Sequence, residues 1–335
     1  MPTLYITRED GMLGKKGDAL YWRAKREGHA QILPLNQIED VVVIGQGAVT
    51  TQALHSLMDE DVPVHYIDSR GRYKGSLTSG RGRGYAIRRL QYGAADDSEA
   101  SLSIAKNFVT GKLLGERRTL LRYFYRNKGI AHDLRETCSE LADLSRAALR
   151  RDSVEDLRGI EGIGAVRYFS AFSCVLQSPW FFRERNRRPP RDPVNAMLSF
   201  GYTMLLSSVA TAAVIVGLDP CVGFIHPEYR GRPSLALDMM EEFRSPVVDR
   251  MVISSCNQGL FKPEDFEPGE DGGVKMSGAA RKLFLKLYSE RLRASVTNDS
   301  TGQHSGYEDH IRSQSAMLIR HLRGQGEYLP FVSAN

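Results

Sequence analysis

The chain has 335 residues, of which 41% are hydrophobic and 25% charged, a composition that excludes a disordered or fibrous protein. This length exceeds the usual size of one hydrophobic core, so we expect two domains. The net charge of +5, from 45 basic and 40 acidic side chains, is too small by itself to indicate a nucleic-acid partner.

The four cysteines are too far apart for a metal-binding pair and too few for a disulfide framework. We therefore expect free thiols in a cytoplasmic protein. The first ten residues carry charges and no apolar segment, so no secretory signal is expected. The longest apolar stretch, 204–218, is interrupted by hydroxyl residues and is shorter than a membrane span. It predicts a buried core helix and no membrane association.

The beginning of the chain predicts short strands separated by glycine and Asp or Asn turns. The runs that indicate strands are 3–7, 19–23, 31–34, 40–44, 62–67 and 74–78. One helix interrupts them, because Thr50 and Thr51 supply an N-cap and the apolar residues of 53–58 recur at helical spacing. The glycine- and arginine-rich segment 79–84 then predicts a flexible basic hinge.

From about residue 101 onward the apolar residues recur with the period of a helix. Helices are predicted at 104–124, 134–150, 165–173, 194–216, 246–255, 278–295 and 308–322. The fold class that we predict is α+β. A small β-rich N-terminal domain (1–84) is joined by a basic linker (85–100) to a larger all-α domain (101–335).

Basic residues are concentrated in three segments. Segment 70–92 holds seven Lys or Arg and no acid, and 106–128 holds seven against the single Glu116. Segment 180–193 holds five arginines beside three aromatic residues. Such clusters are typical of proteins that bind a phosphate backbone, although each alone is as well explained by a solvated face. The predicted DNA contacts are Arg81, Arg83, Arg88, Arg89, Lys112, Arg117, Arg118, Arg187 and Arg188.

A first candidate for chemistry is Glu161, which lies between Gly159 and Gly162 in a glycine-rich segment. We interpret this segment as a turn just before a helix, where the backbone can approach a ligand closely. By itself the pattern is more often a glycine-rich helix entry with an incidental acid.

A second candidate combines His226 with Asp238 and Glu241, which are three residues apart in a predicted helix and therefore share one face. Two carboxylates and an imidazole can converge on one cation, and these ligand types suit Mg²⁺ or Mn²⁺. An exposed acidic helix with a nearby histidine is the alternative that the spacing leaves open.

Several catalytic motifs are absent from the sequence. There is no G-x-S-x-G elbow, no Walker A loop, no H-E-x-x-H, and no G-x-G-x-x-G between a strand and a helix. Chemistry that needs no protein nucleophile remains, and metal-assisted phosphoryl transfer is of that kind.

Four segments, in order, resemble the CRISPR-associated integrase of the spacer-adaptation module, the Cas-one family. They are 159–162 (GIEG), 187–199 (RRPPRDPVNAMLS), 223–226 (GFIH) and 234–244 (SLALDMMEEFR). The resemblance extends over nearly the whole chain.

The resemblance implies that Glu161, His226 and Glu241 ligate the metal, with Asp238 close to it as a further catalytic residue. Many members carry Asp where this chain has Glu241. Asn195 and Tyr202 match polar positions near the site.

The implied activity is insertion of protospacer DNA into a CRISPR array by attack of a 3′-hydroxyl on a phosphodiester at the edge of a repeat. The implied partners are double-stranded DNA, a second copy of the chain that pairs through the N-terminal domain, and the small Cas-two protein. A metal-dependent, structure-specific DNA endonuclease and a non-catalytic DNA-binding scaffold are the alternatives.

Overall fold

The computed structural model describes residues 3–6, 11–24, 30–38, 40–68, 73–79, 84–126, 131–227, 229, 231–269 and 272–334. In these ranges an N-terminal part made of two small sheets and one helix precedes a larger helical part. Each part has its own cluster of buried apolar side chains.

The N-terminal part contains two four-stranded sheets, with strand orders β1-β5-β7-β8 and β4-β3-β2-β6. Its strands are β1 (Thr3–Ile6), β2 (Gly11–Lys16), β3 (Ala19–Ala24), β4 (Ala30–Pro34), β5 (Asp40–Ile44), β6 (Ala48–Val49), β7 (Val64–Ile67) and β8 (Tyr73–Leu77). Helix α1 (Thr51–Asp59) follows β6, and the Thr50 hydroxyl accepts from the Ala53 amide as the predicted N-cap. The six predicted strands are confirmed, whereas β2 and β6 were not predicted because glycines interrupt their apolar pattern.

The helical part begins with α2. Its helices are α2 (Tyr85–Asp96), α3 (Ser98–Arg126), α4 (Ala131–Ala148), α5 (Val154–Val175), α6 (Pro193–Ile215), α7 (Ser234–Phe243), α8 (Arg250–Asn257), α9 (Gly278–Arg293) and α10 (Tyr307–Leu322). The segment predicted as a linker, 85–100, thus forms α2 and the start of α3. Gln91 is buried and donates to the carbonyls of Asp219 and Val222, which fastens α2 to the helical part.

Two details of the helical part differ from prediction. It is not purely helical, since two hairpins pair β9 (Phe266–Pro268) with β10 (Val274–Met276), and β11 (Ser295–Thr297) with β12 (His304–Gly306). Helix α5 also begins eleven residues before its predicted start at 165. The Ser153 hydroxyl accepts from the Asp156 amide and caps this longer helix.

Helix α6 is long and apolar enough to cross a membrane by length and composition, but more than half of its apolar window is buried in the protein. It packs against α7 and α10. The predicted buried core helix at this position is therefore confirmed.

Between α7 and α8 the chain forms a wide π-helical turn, Arg244–Asp249. Pro246 lies in this turn and cannot donate an amide hydrogen bond, and its ring would clash with the carbonyl four residues earlier in a regular α-helix. Single π-helical turns of this kind are often found at functional sites. Here the turn begins three residues after Glu241.

Candidate metal centre

A cavity of about 210 Å³ lies where α3, α5, α7 and the loop 223–227 meet. All three predicted metal ligands, Glu161, His226 and Glu241, line this cavity. Lys112 of α3 and Arg158 of α5 line it as well. Residues more than a hundred positions apart in the sequence are thus brought to one place by the packing of these helices.

Glu161 lies in the middle of α5 and not on a turn, so the interpretation of the segment 159–164 as a helix entry was wrong. One turn earlier, Nε of Arg158 donates to the carbonyl of Ile225 at 2.8 Å, and its Nη2 donates to the same oxygen. This contact joins α5 to the loop that carries His226.

Asp238 shapes that loop. The amides of Phe224, Ile225 and His226 donate to its carboxylate at 2.5, 2.9 and 3.0 Å. Gly223 is required beside it, because an added Cβ would come within 2.6 Å of Asp238 Oδ2. Asp238 is fully buried, and both of its oxygens are engaged by the loop. Its position is that of a residue that holds the loop, not of a ligand in the cavity.

The same carboxylate orients the imidazole of His226, whose Nδ1 lies 2.6 Å from Asp238 Oδ1. The Asp238 carboxylate acts as an acceptor for three backbone amides, and it acts as an acceptor for Nδ1 in the same way. A neutral His226 ring therefore carries its proton on Nδ1. Nε2 is then the unprotonated nitrogen, the form that binds a metal.

Glu241 is almost completely buried, and two cations contact it. Nη1 of Arg244 donates to both carboxylate oxygens at 2.7 and 3.0 Å, and Nζ of Lys112 lies 2.9 Å from Oε2. Burial alone would raise the pKa of Glu241, but Arg244 and Lys112 outweigh it and lower the pKa to about 2. The carboxylate is therefore ionised throughout the physiological range.

The ammonium group of Lys112 lies between the two glutamates, since it also forms an ion pair with Glu161. Burial disfavours this charge, yet Glu241 and other carboxylates raise the pKa of Lys112 above its usual value. Within the described residues, no three His, Cys, Asp or Glu side chains are close enough together to hold a metal ion in this conformation.

The arrangement nevertheless fits a divalent cation. Two carboxylates already converge on one positive charge, and Nε2 of His226 is available at the wall of the same cavity. Carboxylate oxygens and one imidazole are ligands that Mg²⁺ and Mn²⁺ accept. Such an ion would have to displace the Lys112 ammonium from at least one glutamate.

The structure changes the interpretation of several predicted DNA contacts. Lys112 is only 4% exposed and is held in the cavity, so it does not face a DNA backbone. Arg117 is half-buried and donates to the carbonyl of Cys138, and Arg118 pairs with Asp299 and donates to the carbonyl of Ala334. These two arginines fasten α3 to neighbouring segments. Sequence clustering could not distinguish them from surface charges.

The other predicted contacts remain predictions. Arg88, Arg89, Arg187 and Arg188 are exposed, whereas Arg81 and Arg83 lie outside the described residues.

Of the two further polar positions, Tyr202 reaches the site indirectly. The guanidinium of Arg244 lies 4.2 Å from the centre of the Tyr202 ring, whose hydroxyl donates to Asp249 at 2.5 Å. Asn195 instead organises the preceding loop by accepting from Arg185 and donating to the carbonyl of Glu184.

Sequence reasoning missed the roles of Arg158 and Arg244. Each stands three residues from a predicted ligand, Arg158 before Glu161 and Arg244 after Glu241. Residues three apart share a helix face, so this spacing was the available signal.

Comparison with known proteins identifies one family over most of the chain. Residues 4–290 match the family model described as CRISPR associated protein Cas1. The chain is 35% identical over 332 residues to the CRISPR-associated endonuclease Cas1 3 of Thermus thermophilus, which covers 98% of this chain and 96% of that protein.

Two solved structures are similar throughout. One, described as a partial Cas6-RT-Cas1–Cas2 complex, has a TM-score of 0.78 at 26% identity and covers 99% of this chain and 98% of its own. The other, a casposase bound to an integration product, shares the fold with a TM-score of 0.73 at 24% identity, covering 99% of this chain and 93% of its own.

Proposed function

We propose, from the premise that this chain belongs to the Cas1 family of CRISPR-associated proteins, that it is a metal-dependent DNA integrase. The proposed reaction inserts protospacer DNA into a CRISPR array. The observation that carries the proposal is the convergence of Glu161, His226 and Glu241 on one cavity in which two carboxylates share a single cation.

The proposed chemistry is a transesterification. The 3′-hydroxyl of a protospacer strand attacks a phosphorus atom at the edge of a repeat, the new O–P bond forms, and the bond to the 3′-oxygen of the target strand breaks. The attacking hydroxyl loses its proton to solvent, and the departing 3′-oxygen leaves with the electron pair and takes up a proton from solvent, so the step is balanced. Glu161, Glu241 and Nε2 of His226 would hold the metal, which supplies a Lewis acid for the phosphate.

The surrounding residues have separate tasks in this reaction. Asp238 holds the imidazole of His226 with Nε2 towards the cavity. Arg158 keeps the His226 loop against α5, and Arg244 keeps the Glu241 carboxylate ionised and oriented. Among the described residues that line the cavity there is no Ser, Thr, Cys or Tyr, which supports an attacking oxygen from DNA or water.

The partners that we propose are double-stranded protospacer and repeat DNA, a second copy of this chain, and a Cas2 protein. The relative at 26% identity that is described as a complex with Cas2 supports the last of these. The exposed arginines Arg88, Arg89, Arg187 and Arg188 support a contact to the DNA backbone.

The proposal is tested by strand transfer from a labelled donor into a supercoiled target, with and without chelator. We expect Glu161→Ala, His226→Ala and Glu241→Ala each to abolish joining, whereas Asp156→Ala, an exposed acid of the same helix, leaves it intact. Manganese titration of each variant reports whether the loss arises from metal binding. Joining at the wild-type rate by the His226 and Glu161 variants would rule out the site.

A metal-dependent endonuclease is the second candidate function, because the relative from Thermus thermophilus is named an endonuclease. A donor that ends in a 3′-dideoxynucleotide separates the two activities. Joining stops with this donor, while hydrolysis by water does not depend on the donor end. Target cleavage that is equal with blocked and unblocked donors, without any joined product, would favour the endonuclease.

A further inference from the structure

A second and larger cavity of about 560 Å³ lies between α3, the end of α5, α8 and α9. Three arginines line it, Arg122 of α3, Arg250 of α8 and Arg291 of α9, together with Tyr123 and polar amide side chains. Among the residues that the structure describes, no Asp or Glu lines this cavity. Its volume is in the range of pockets that hold small ligands.

The cavity is separate from the candidate metal centre. Lys112 and Arg122 are ten residues apart on the continuous helix α3, which corresponds to about 15 Å along the helix axis. The two cavities have no lining residue in common.

Arg250 has an unsatisfied donor beside this cavity. The side chain is only 4% exposed, and it donates through Nε to the Thr119 hydroxyl at 3.0 Å. Its Nη2 is buried and has no hydrogen-bond partner among the described residues. A buried guanidinium donor without an acceptor is costly, and native proteins rarely leave one unpaired.

Charge repulsion in the cluster is not compensated by a carboxylate. Burial, and to a smaller extent the charges of Arg291 and Arg122, lower the pKa of Arg250 to about 10. Burial also lowers the pKa of Arg291, with Arg122 acting in the same direction. Arginine side chains are always charged in proteins, so an anion in the cavity would relieve the repulsion among the three arginines that line it.

We infer that this cavity is a phosphate-binding site for a nucleotide-sized ligand. Guanidinium groups match phosphate oxygens in geometry and charge, and Tyr123 and the amide of Gln258 provide aromatic and polar surface for an attached base. The phosphate belongs either to a DNA strand that passes the metal centre or to a free nucleotide. The inference rests on this cavity alone and does not depend on the proposed function.

The test is binding of inorganic phosphate and of 5′-dAMP to the full chain by calorimetry, with a chelator present so that the metal centre takes no part. We expect dAMP to bind the wild type and Arg122→Ala to weaken this binding at least ten-fold. Arg135→Ala, an exposed arginine of α4 outside the cavity, should leave it unchanged. Thermal melting verifies that each variant is folded.

A second variant adds a negative charge at the cavity and leaves all three arginines in place. Gln258→Glu places a carboxylate at the cavity, so it should raise the melting temperature and weaken dAMP binding at the same time. A melting temperature that does not rise would contradict the uncompensated cluster.

Duplex DNA distinguishes the two sources of the phosphate. If dAMP does not bind, but Arg122→Ala weakens duplex binding and lowers its salt slope by about one unit, the ligand is a DNA strand. If Arg122→Ala and Gln258→Glu change neither dAMP binding nor DNA binding, the cavity is a structural arginine cluster and the inference is wrong.

Discussion

At the scale of single residues, Lys112 contacts the same two carboxylates that the proposed metal ion would need. Nζ of Lys112 contacts both Glu161 and Glu241, so it neutralises two negative charges that would otherwise repel each other in a poorly hydrated cavity. The lysine therefore offsets the repulsion between the two glutamates and would oppose the binding of a divalent cation.

We accordingly predict that Lys112→Met increases the affinity for Mn²⁺ about ten-fold, which corresponds to ~1.4 kcal/mol. The reason is that Mn²⁺ no longer has to break an ion pair. Titration of the full chain with Mn²⁺, followed by electron paramagnetic resonance, measures the effect. Lys106→Met on the same helix is the control and should behave as the wild type. Weaker Mn²⁺ binding by Lys112→Met would show that the lysine does not compete with the metal.

Glu116, one turn beyond Lys112, gives the protein a dependence of stability on pH. It is 4% exposed, and its Oε2 has no hydrogen-bond partner among the described residues. Burial raises its pKa to about 8 against the opposing effect of Lys112. The folded protein thus holds this proton more tightly than the unfolded chain, so the contribution of Glu116 to stability is full below about pH 4.5 and is lost as the pH rises to about 8.

Glu116→Gln removes this titration. We expect the free energy of unfolding of the variant, relative to wild type, to increase by a few kcal/mol between pH 5 and pH 8. Urea unfolding at several pH values measures this difference in free energy. Its dependence on pH is diagnostic, because the cost of burying the new amide is the same at every pH and cancels from the comparison. The exposed Glu136→Gln is the control. Parallel pH profiles for wild type and Glu116→Gln would show that Glu116 is ionised in both states.

At the scale of elements, the glycines of α5 have two different functions. An added Cβ at Gly164 would come within 2.3 Å of Leu113 Cδ2, so this glycine allows α5 to approach α3 next to Lys112. Gly159 and Gly162, which flank Glu161, have no atom within 4 Å of such a Cβ. The space beside Glu161 would leave room for a DNA backbone if Glu161 binds the metal as proposed.

We predict that Gly162→Ala stabilises the protein by about 0.5–1 kcal/mol, since alanine lowers the entropy of the unfolded chain at an unstrained helix position. Gly164→Ala should instead destabilise it by about 1–3 kcal/mol through overpacking. Chemical denaturation of the pair decides this. If Gly164→Ala is as stable as Gly162→Ala, close packing of α5 on α3 is not what requires glycine.

Helix α5 also shows a limit of prediction from sequence patterns. Periodicity predicted α6, α9 and α10 to within a few residues, because their apolar positions repeat without interruption. In α5 the glycines lower helix propensity, so the pattern indicated a turn, whereas the Ser153 cap and packing on α3 determine a helix. The proposed ligand set came from the family resemblance of four motifs in order. The burial of Lys112 between glutamates 49 and 129 residues away is instead a tertiary contact that composition does not encode.

At the scale of the whole molecule, net charge of +5 says less about DNA binding than the position of exposed arginines. Of the seven described arginines and lysines predicted to contact DNA, three are at least half-buried and engaged by the protein: Lys112, Arg117 and Arg118. Arg88 is exposed, although its Nε donates to the carbonyl of Gly217. The four exposed ones lie on α2 and on the loop before α6.

We therefore predict that the double variants Arg88→Ala/Arg89→Ala and Arg187→Ala/Arg188→Ala weaken duplex binding for all sequences alike. Each phosphate contact contributes about 0.9 to the slope of log K against log salt, so each double variant should lower the slope by up to about two units.

The control for this prediction is Lys282→Ala/Lys286→Ala on the exposed surface of α9, which also removes two positive charges. A general effect of net charge would shift all three variants equally, whereas specific backbone contacts shift only the first two. Duplex affinities measured between 50 and 200 mM salt separate these outcomes, a window in which backbone contacts change affinity by orders of magnitude. Equal slopes for the wild type and all three variants would show that these arginines are a solvated surface and that the DNA path lies elsewhere on the protein.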